Sequence, residues 1–466
     1  MSIDYRHKMI MDPVHGDIGL SELETKIIDT PAFQRLRRLK QLGFASLVYP
    51  NASYSRFAHS LGVLHIASRV AEVFERKKLI DEDAVKKLRI AALLHDIGHY
   101  PYSHLMEYIE WEQPSERFLQ KEGSEAKPTS VSDNYPPHEE LGKLIVSQRK
   151  DIAGLLEKEG IDTNEIGALI KGEHPDIPNI LHKSLDVDRL DYLVRDSLNT
   201  GLPYGRVDLN YILNNLVIAD GKEIVLKNKA RLSAEHLLLA RYFMFNAVYL
   251  HKTIFGFEEL VRKTLLLFMK KKEIYTSGSE IEKMVTTDSG EYLNFHDGYL
   301  DIKFDSWAIE NSDDLISIFC RAIKHRHPPK LVHEVVDLQH RDGGNPRKEY
   351  ILFRTFLQNR LKECSKECEI EPQFLFWREP KDIHFEAVMP FVSLSQLKDL
   401  QEGELRELIR LIDSDGNIKN LIEEKSSIIY HLSQLQAKSI RLYAVNTADE
   451  QLKKLKEKIK KFIGSG

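Results

Sequence analysis

From about residue 20 to about residue 270 the apolar residues recur at helical spacing, and this periodicity limits the fold more than any other feature of the chain. Around Leu61, His65, Val70 and Val73, in a segment otherwise bearing Ala and Ile, side chains suited to a core return every three or four positions. A stretch patterned in this way predicts a helical bundle. Between Ile109 and Pro137 the periodicity gives way to EWEQPSERFLQKEGSEAKPTSVSDNYPPH, which reads as a surface excursion with at most one short helix. Histidines bracket it, so we expect it near the functional site. After about residue 275 strand-like runs such as Tyr350–Phe353 and Ser439–Val445 alternate with helical stretches. The chain ends in a helix whose Leu452, Leu455, Ile459 and Phe462 form one stripe opposite many lysines, read as a solvated basic face. At 466 residues one core is too few. The expectation is a mainly α protein: a helical domain over 1–275 and a smaller C-terminal α+β lobe over 276–466.

A formal net charge of -5 and a pI near 6.5 give no general attraction to polyanions, so any phosphate the chain bound would have to be gripped by local Arg and Lys. Nucleic acid is an admissible partner but not a required one. The three cysteines, Cys320, Cys364 and Cys368, are too few for a disulfide framework and fit a reducing, cytoplasmic setting. Cys364 and Cys368 stand four apart on one helix face, which is better explained by chance than by a metal clip. No apolar run has the length of a membrane span and the N-terminus has no apolar signal core, so the expectation is a soluble protein without a membrane partner. No phosphate-binding GxxxxGK[ST] loop occurs.

Of 19 histidines, four fall in or beside AALLHDIGHYPYSH and PPHEE. The apolar helical segment Arg89–Leu94 delivers His95 and Asp96 side by side, with His99 one turn on. Adjacent nitrogen and oxygen donors suit a borderline divalent ion, and His59 in SRFAHSLG and Asp188 in LDVDRLDYLVRD are candidates to complete the set. A single His-Asp pair is more often a cap or an ion pair. Four such elements in order are harder to explain that way. Asp188, Tyr192 and Asp196 are spaced i, i+4, i+8, so one helix face carries a carboxylate, an aromatic ring and a second carboxylate. His104 and Glu107 are i, i+3 at a helix start, so the carboxylate can orient the imidazole for proton donation.

Over roughly residues 8 to 260 the chain resembles the HD-domain dNTP triphosphohydrolases, especially the branch of the animal sterile-alpha-motif and HD-domain enzyme. The stretches that carry the resemblance are DPVHGDIGL, IIDTPAFQRLRRLKQLG, RFAHSLGV, HDIGHYPYSH, DVDRLDYLVRD and YLHK; no sterile-alpha-motif domain is expected before them. The resemblance implies an HD helical bundle with its catalytic core at about 40–260, and His59, His95, Asp96 and Asp188 as ligands of a divalent metal: Mn, Fe, Mg, Co, Ni or Zn. It implies that Tyr192 packs on deoxyribose, that Asp196 takes the 3′-hydroxyl with help from Gln41, and that Leu42 and Tyr249 crowd the 2′ position. Arg56, Arg189 and Arg241 fall where relatives bind phosphates. His99, His104 and His138 match histidines around the scissile phosphate, with His104 the expected proton donor to the leaving 5′-oxygen and Glu107 its partner. Leu250 replaces a polar residue that lies near the base in the animal enzyme, so the expected substrate range is broad.

The same resemblance places Lys8, Asp29, Gln34 and Arg37 where a guanine nucleotide, GTP or dGTP, activates from a site between subunits, which implies a homo-oligomer, dimer or tetramer. Those residues also read as a helix cap at Asp29-Thr30-Pro31 and ordinary surface side chains. Two other functions fit an HD scaffold: a phosphodiesterase or nuclease acting on nucleic acid or another nucleotide, and a non-catalytic nucleotide sensor. The complete ligand set argues against the sensor.

Overall fold

The computed structural model describes residues 5–107, 109, 134–182, 185–219, 223–287, 290–310, 312–340, 347–378, 408–433 and 435–465. Most of the excursion expected between Ile109 and Pro137 lies outside these residues. The chain is mainly α. A hairpin, β1 (Lys8–Asp12) and β2 (Gly16–Leu20), leads into α1 (Glu22–Ile28), α2 (Pro31–Gln34), α3 (Arg56–Arg76), α4 (Glu82–Leu94) and α5 (His104–Glu107). There follow α6 (His138–Gln148), α7 (Lys150–Lys158), α8 (Thr163–Ile170), α9 (Val187–Thr200), α10 (Leu209–Asn214), α11 (Arg231–Met244) and α12 (Lys252–Lys271). Then come α13 (Gly278–Thr286), α14 (Glu291–Asn294), α15 (Asp297–Ile309), α16 (Leu315–Lys324), α17 (Lys348–Asn359), α18 (Leu361–Glu367), α19 (Ile428–Leu432) and α20 (Asp449–Ser465).

The elements that carry the site start where local chemistry starts them. Asp81 caps α4, its side chain accepting from the amide of Ala84, and Leu88, Ile90, Ala91, Leu93 and Leu94 are buried behind it. Asp186 caps α9 by accepting from the Arg189 amide, and Gly201 ends that helix in the left-handed conformation with φ of 75°. Thr30, not Asp29, is the N-cap of α2, with Pro31 at its first position; Asp29 closes α1.

Two apolar cores organise the rest. The first contains the buried faces of α1 to α16, and it is completed from the far end of the sequence by Phe374, Phe376, Leu408, Leu411, Tyr443 and Val445. The second, in the C-terminal lobe, lies between the antiparallel sheet β5 (Lys330–His340), β9 (Leu435–Ala444), β6 (Leu375–Arg378) and the helices α17, α18 and α20. A further sheet has the order β3 (Leu216–Ala219), β4 (Glu223–Lys227), β7 (Arg410–Ile412), β8 (Ile418–Asn420), with β4 and β7 parallel, so distant parts of the chain share its hydrogen bonds. The expected division at residue 275 does not coincide with the division of the cores, because Ile281, Leu300, Phe304, Ile316 and Phe319 pack in the first.

One expected strand is a helix. Tyr350–Phe353 lies inside α17, where Tyr350, Phe353, Phe356 and Leu357 are buried and Ile351 is exposed. Four consecutive apolar residues fit either conformation; the spacing that decides runs on to Leu357, beyond the window. The strand over Ser439–Val445 is present as most of β9, and the terminal helix buries Leu452, Leu455 and Ile459 as its stripe demands.

Candidate active site

α3, the end of α4 and the start of α9 meet at His59, His95, Asp96 and Asp188. Ligand atoms of His59, His95 and Asp188 lie within 4.8 Å of one another. His59 Nε2 is 2.8 Å from Asp188 Oδ1 and 3.9 Å from Asp96 Oδ2, and His95 Nε2 is 3.3 Å from Asp96 Oδ1. Both Nε2 atoms are buried and neither makes a regular hydrogen bond among the described residues; His59 Nε2 meets Asp188 as an ion-pair contact. The other ring nitrogens explain which atom is presented. His59 Nδ1 is 2.7 Å from Asp191 Oδ2 and His95 Nδ1 is 2.8 Å from the carbonyl of Ala92. Each Nδ1–H donates away from the centre, so Nε2 is the ring atom that faces inward, where a bound cation would take the place of any proton it carries. Two inward imidazole nitrogens and two carboxylates are a donor set that fits a divalent cation.

Charge in this pocket points the same way. Burial works against a proton on His59, yet Asp188 and Asp191 override it and push the imidazole up to about 10. Burial alone would raise the Asp96 carboxyl, but Arg56, His95 and His99 hold it well below the usual range. Burial keeps His95 below the ordinary histidine value despite Asp96. The centre attracts positive charge.

A second cluster adjoins it through Asp96, whose Oδ1 is 3.1 Å from His99 Nε2. His99 and His138 stack with centroids 3.8 Å apart, and His104 meets both edge-on at 5.2 and 5.4 Å. Glu107 holds them: its Oε2 is 2.8 Å from His104 Nδ1, and its Oε1 accepts from the His138 amide at 2.9 Å and lies 3.0 Å from His138 Nδ1. Burial raises the Glu107 carboxyl, but its bonds to His104 and His138 outweigh it and keep the acid ionised. Burial opposes charge on His138, and Glu107 reverses the sign and raises it. His99, buried beside Arg56 and His138, is held well below the ordinary value. The His104 side chain is 55% exposed, against 2% for His99 and 13% for His138, so it alone of the three opens broadly to solvent.

The face of α9 carries on from Asp188 through Tyr192 to Asp196. The fully buried Asp196 carboxylate accepts from the hydroxyls of Tyr54 and Tyr249, and burial raises it to about 6 against the pull of those bonds. Tyr249 closes a π turn over Phe245–Tyr249, and its ring lies 6.4 Å from that of Tyr192 at right angles. The Gln41 backbone N–H donates to the carbonyl of Tyr54, and its side chain has a buried Oε1 without a partner among the described residues; Leu42 beside it is buried. Arg189 and Arg241 both act on Tyr192 and on Asp186, which burial lifts to about 7 against those two arginines. Arg56 sits deeper than a phosphate contact suggests: its Nη1 donates to Asp96 at 2.7 Å and its Nε to Ser103 Oγ at 2.9 Å.

The residues matched to an activator site lie apart from this centre. Arg37 donates to Gln34 at 2.8 Å and covers the Phe57 ring at 3.6 Å, and Gln34 donates to the carbonyl of Ile28. Lys8 is exposed on β1, and Asp29 lines a shallow surface pocket with Lys26, Lys150 and Lys158.

Several supporting residues escaped the sequence reading. Asp191 is the hub: fully buried, it binds His59, His15 at 2.6 Å, and Arg195 at 2.8 and 2.9 Å, and Arg195 in turn holds Asp12 at 2.8 Å. Asp12 and His15 belong to DPVHGDIGL, and Arg195 stands one turn after Asp191, so motif and spacing together could have found them. Gly62 belongs to the same assembly, since a Cβ there would collide with Asp191 and Arg195. Tyr54, in an irregular loop, gave no periodic signal. Arg35 is buried and donates to the carbonyls of Ile97 and His99 at 3.2 and 2.5 Å, fixing the loop between the two clusters.

Residues 56–196 match the HD domain and residues 207–299 the HD associated region. An uncharacterized protein of Methanocaldococcus jannaschii is 35% identical over 291 residues, covering 62% of this chain and 54% of that one. A Dictyostelium discoideum protein described as a deoxynucleoside triphosphate triphosphohydrolase SAMHD1 homolog is 31% identical over 305 residues, 63% of this chain and 54% of that one. The chain thus spans about half the length of these relatives. The crystal structure of a phosphohydrolase from Bacteroides thetaiotaomicron superposes with a TM-score of 0.65 at 24% identity, over 94% of this chain and all of that one, which shows a shared fold. With both matched segments meeting around one His/Asp centre, the chain belongs to the HD-domain family and carries the HD associated region behind its HD domain.

Proposed function

We propose that the protein hydrolyses deoxynucleoside triphosphates to the deoxynucleoside and inorganic triphosphate, with a divalent metal held by His59, His95, Asp96 and Asp188. The observation that carries this reading is the pairing of two inward-facing imidazole nitrogens with a Glu107-anchored histidine cluster one carboxylate away. The triphosphohydrolase named among the relatives supports the choice of substrate. A bound divalent cation supplies polarisation of a phosphate oxygen and acidification of water. The protein's own groups do the rest. Arg189 and Arg241 spread positive charge over the triphosphate, with Arg56 reinforcing Asp96 from behind. Tyr192 supports the deoxyribose, Asp196 and Gln41 take its 3′-hydroxyl, and Leu42 and Tyr249 crowd the 2′ position. Water adds to the α-phosphorus as the bond from phosphorus to the 5′-oxygen breaks; that oxygen takes the Nε2 proton of His104, which Glu107 orients through Nδ1, and the proton released by the water restores His104 for the next turnover. His138 and His99 assist from the stack.

In the same reading a guanine nucleotide activates at Lys8, Asp29, Gln34 and Arg37 in a homo-oligomer. The test is anion-exchange analysis of products from each dNTP and NTP with Mn²⁺ or Mg²⁺, with and without GTP, for the native chain and Asp188→Ala. Triphosphate and deoxynucleoside from the native chain alone is the expected result. Monophosphate, or no product under every combination, overturns the assignment; equal rates with and without GTP overturn activation.

A further inference from the structure

Where the two apolar cores meet, α12 and α16 of the first face α17, α18 and β6 of the second, and they enclose a cavity of about 490 Å³. None of its lining residues belongs to the metal centre or the histidine cluster. Its size is that of a small-molecule site. The walls are apolar: Leu266 and Leu267 from α12, Phe319 from α16, Leu361 from α18, and Phe376 and Trp377 from β6. The charged part of the described lining is of one sign. Lys263, Lys270 and Lys362 line the cavity, and no Asp or Glu does so among the described residues. Lys263 Nζ stands 5.2 Å from the Phe376 ring, so one ammonium is already placed over the aromatic wall, while Lys270 and Lys362 are exposed at the rim. In a chain of net charge -5, a described lining whose charged members are all lysines is a local reversal of sign.

We propose that this cavity binds an amphipathic anion: an apolar body seated on Leu266, Leu267, Phe319 and Phe376, with one anionic head at Lys263, Lys270 and Lys362. The apolar body supplies affinity by leaving water, and the lysine rim selects anionic over neutral heads. Neither part depends on the dNTP reading.

The test uses the full chain and 11-bromoundecanoate, whose bromine quenches indole fluorescence on contact. Trp377 lines the cavity and is one of 3 tryptophans. Saturable quenching is expected, and it should disappear in Trp377→Phe while calorimetry still records binding. Lys270→Glu combined with Lys362→Glu, both at exposed positions, should weaken binding roughly tenfold, and Leu361→Trp should abolish it by filling the space. Undecanol should bind about tenfold more weakly than undecanoate, and undecyl phosphate beside undecanoate shows which head the lysines favour. Absence of saturable quenching, quenching that survives Trp377→Phe, or equal binding of alcohol and anion overturns the proposal. So does a change of sedimentation coefficient in the double lysine variant without any anion binding, which would make this face a contact between copies of the chain.

Discussion

Asp191 sits behind the candidate metal ligands rather than among them, and its effect is on which nitrogen His59 presents. Its two oxygens are shared among His15, His59 and Arg195, so the His59 ring is held in one tautomer and one orientation. Asp191→Asn keeps the volume but replaces an acceptor by a donor facing His59 or Arg195. Metal affinity should fall about ten- to a hundredfold, as for other carboxylates that orient a ligating imidazole. Titration of the metal-free protein with Mn²⁺ measures this; unchanged affinity would show that α3 alone orients the ring. Glu107 offers a pH-dependent counterpart. Because Glu107 raises His138 against burial, the pair stabilises the fold in full below the ordinary histidine value of about 6.5 and loses that contribution as pH rises through the raised one. The native melting temperature should therefore drop by more than that of Glu107→Gln as pH rises above the ordinary histidine value. Equal slopes would remove the charge coupling. His95 and Asp96 stand out in the sequence because the two donors are adjacent, whereas His59 and Asp188 are candidates that the family resemblance joins to them. Asp191 does not stand out although it lies inside DVDRLDYLVRD, because an acid one turn before Arg195 looks by itself like a surface pair, and only its position in the motif beside Asp188 sets it apart.

The loop between α4 and α5 is the element that turns two helices into a site, and little in its sequence announces its shape. It carries His95 to Ser103, and Tyr102 and Ser103 both adopt positive φ, 53° and 56°. Such a conformation costs about 1–3 kcal/mol per residue and persists only where neighbours enforce it. Here Ser103 Oγ accepts from Arg56, the Tyr102 amide donates to Asp297, and Arg35 ties the carbonyls of Ile97 and His99. Gly98 lets α6 approach: a Cβ at that position would strike the His138 carbonyl and the Gly142 amide, both backbone atoms that cannot swing aside. Gly98→Ala should cost about 1–3 kcal/mol in urea unfolding and open the stack of His99 on His138. Native stability in that variant would mean that α6 can shift without loss. Helices such as α3, α4 and α9 were legible because their apolar periods run for several turns. This loop was legible only as a motif, since its conformation depends on Arg35, Arg56 and Asp297, which lie far from it in sequence. The misread run Tyr350–Phe353 failed for the opposite reason: its local pattern was too short to carry a period.

At the scale of the whole chain, helices continue past residue 275 through α13 to α16, and the first core continues with them; the long strand β5 begins only at Lys330. The segment that follows holds the site together. Tyr292 stacks against Arg35 at 4.5 Å, Phe295 accepts from the same guanidinium, and Asp297 receives the amides of both Lys40 and Tyr102. Leu300, Phe304, Ile316 and Phe319 fill the first core from α15 and α16. The C-terminal lobe reaches the substrate side as well, for Arg441 donates to the carbonyl of Leu250 at 2.6 Å and Tyr443 to that of Lys252 at 2.9 Å, immediately after Tyr249. We therefore propose that residues 1–275 are not an independent folding unit. Deleting one buried Phe side chain costs about 3–5 kcal/mol, and a domain's whole stability is about 5–15 kcal/mol, so losing Phe304, Phe319, Phe374 and Phe376 together exceeds what the remainder can supply. A chain ending at 275 should lack a cooperative thermal transition and sharp near-ultraviolet dichroism, while the full chain shows both. If the fragment unfolds cooperatively, the first core closes without α15 and α16, and the contacts of Asp297 with the loop at Tyr102 serve to shape the site and not to hold the domain.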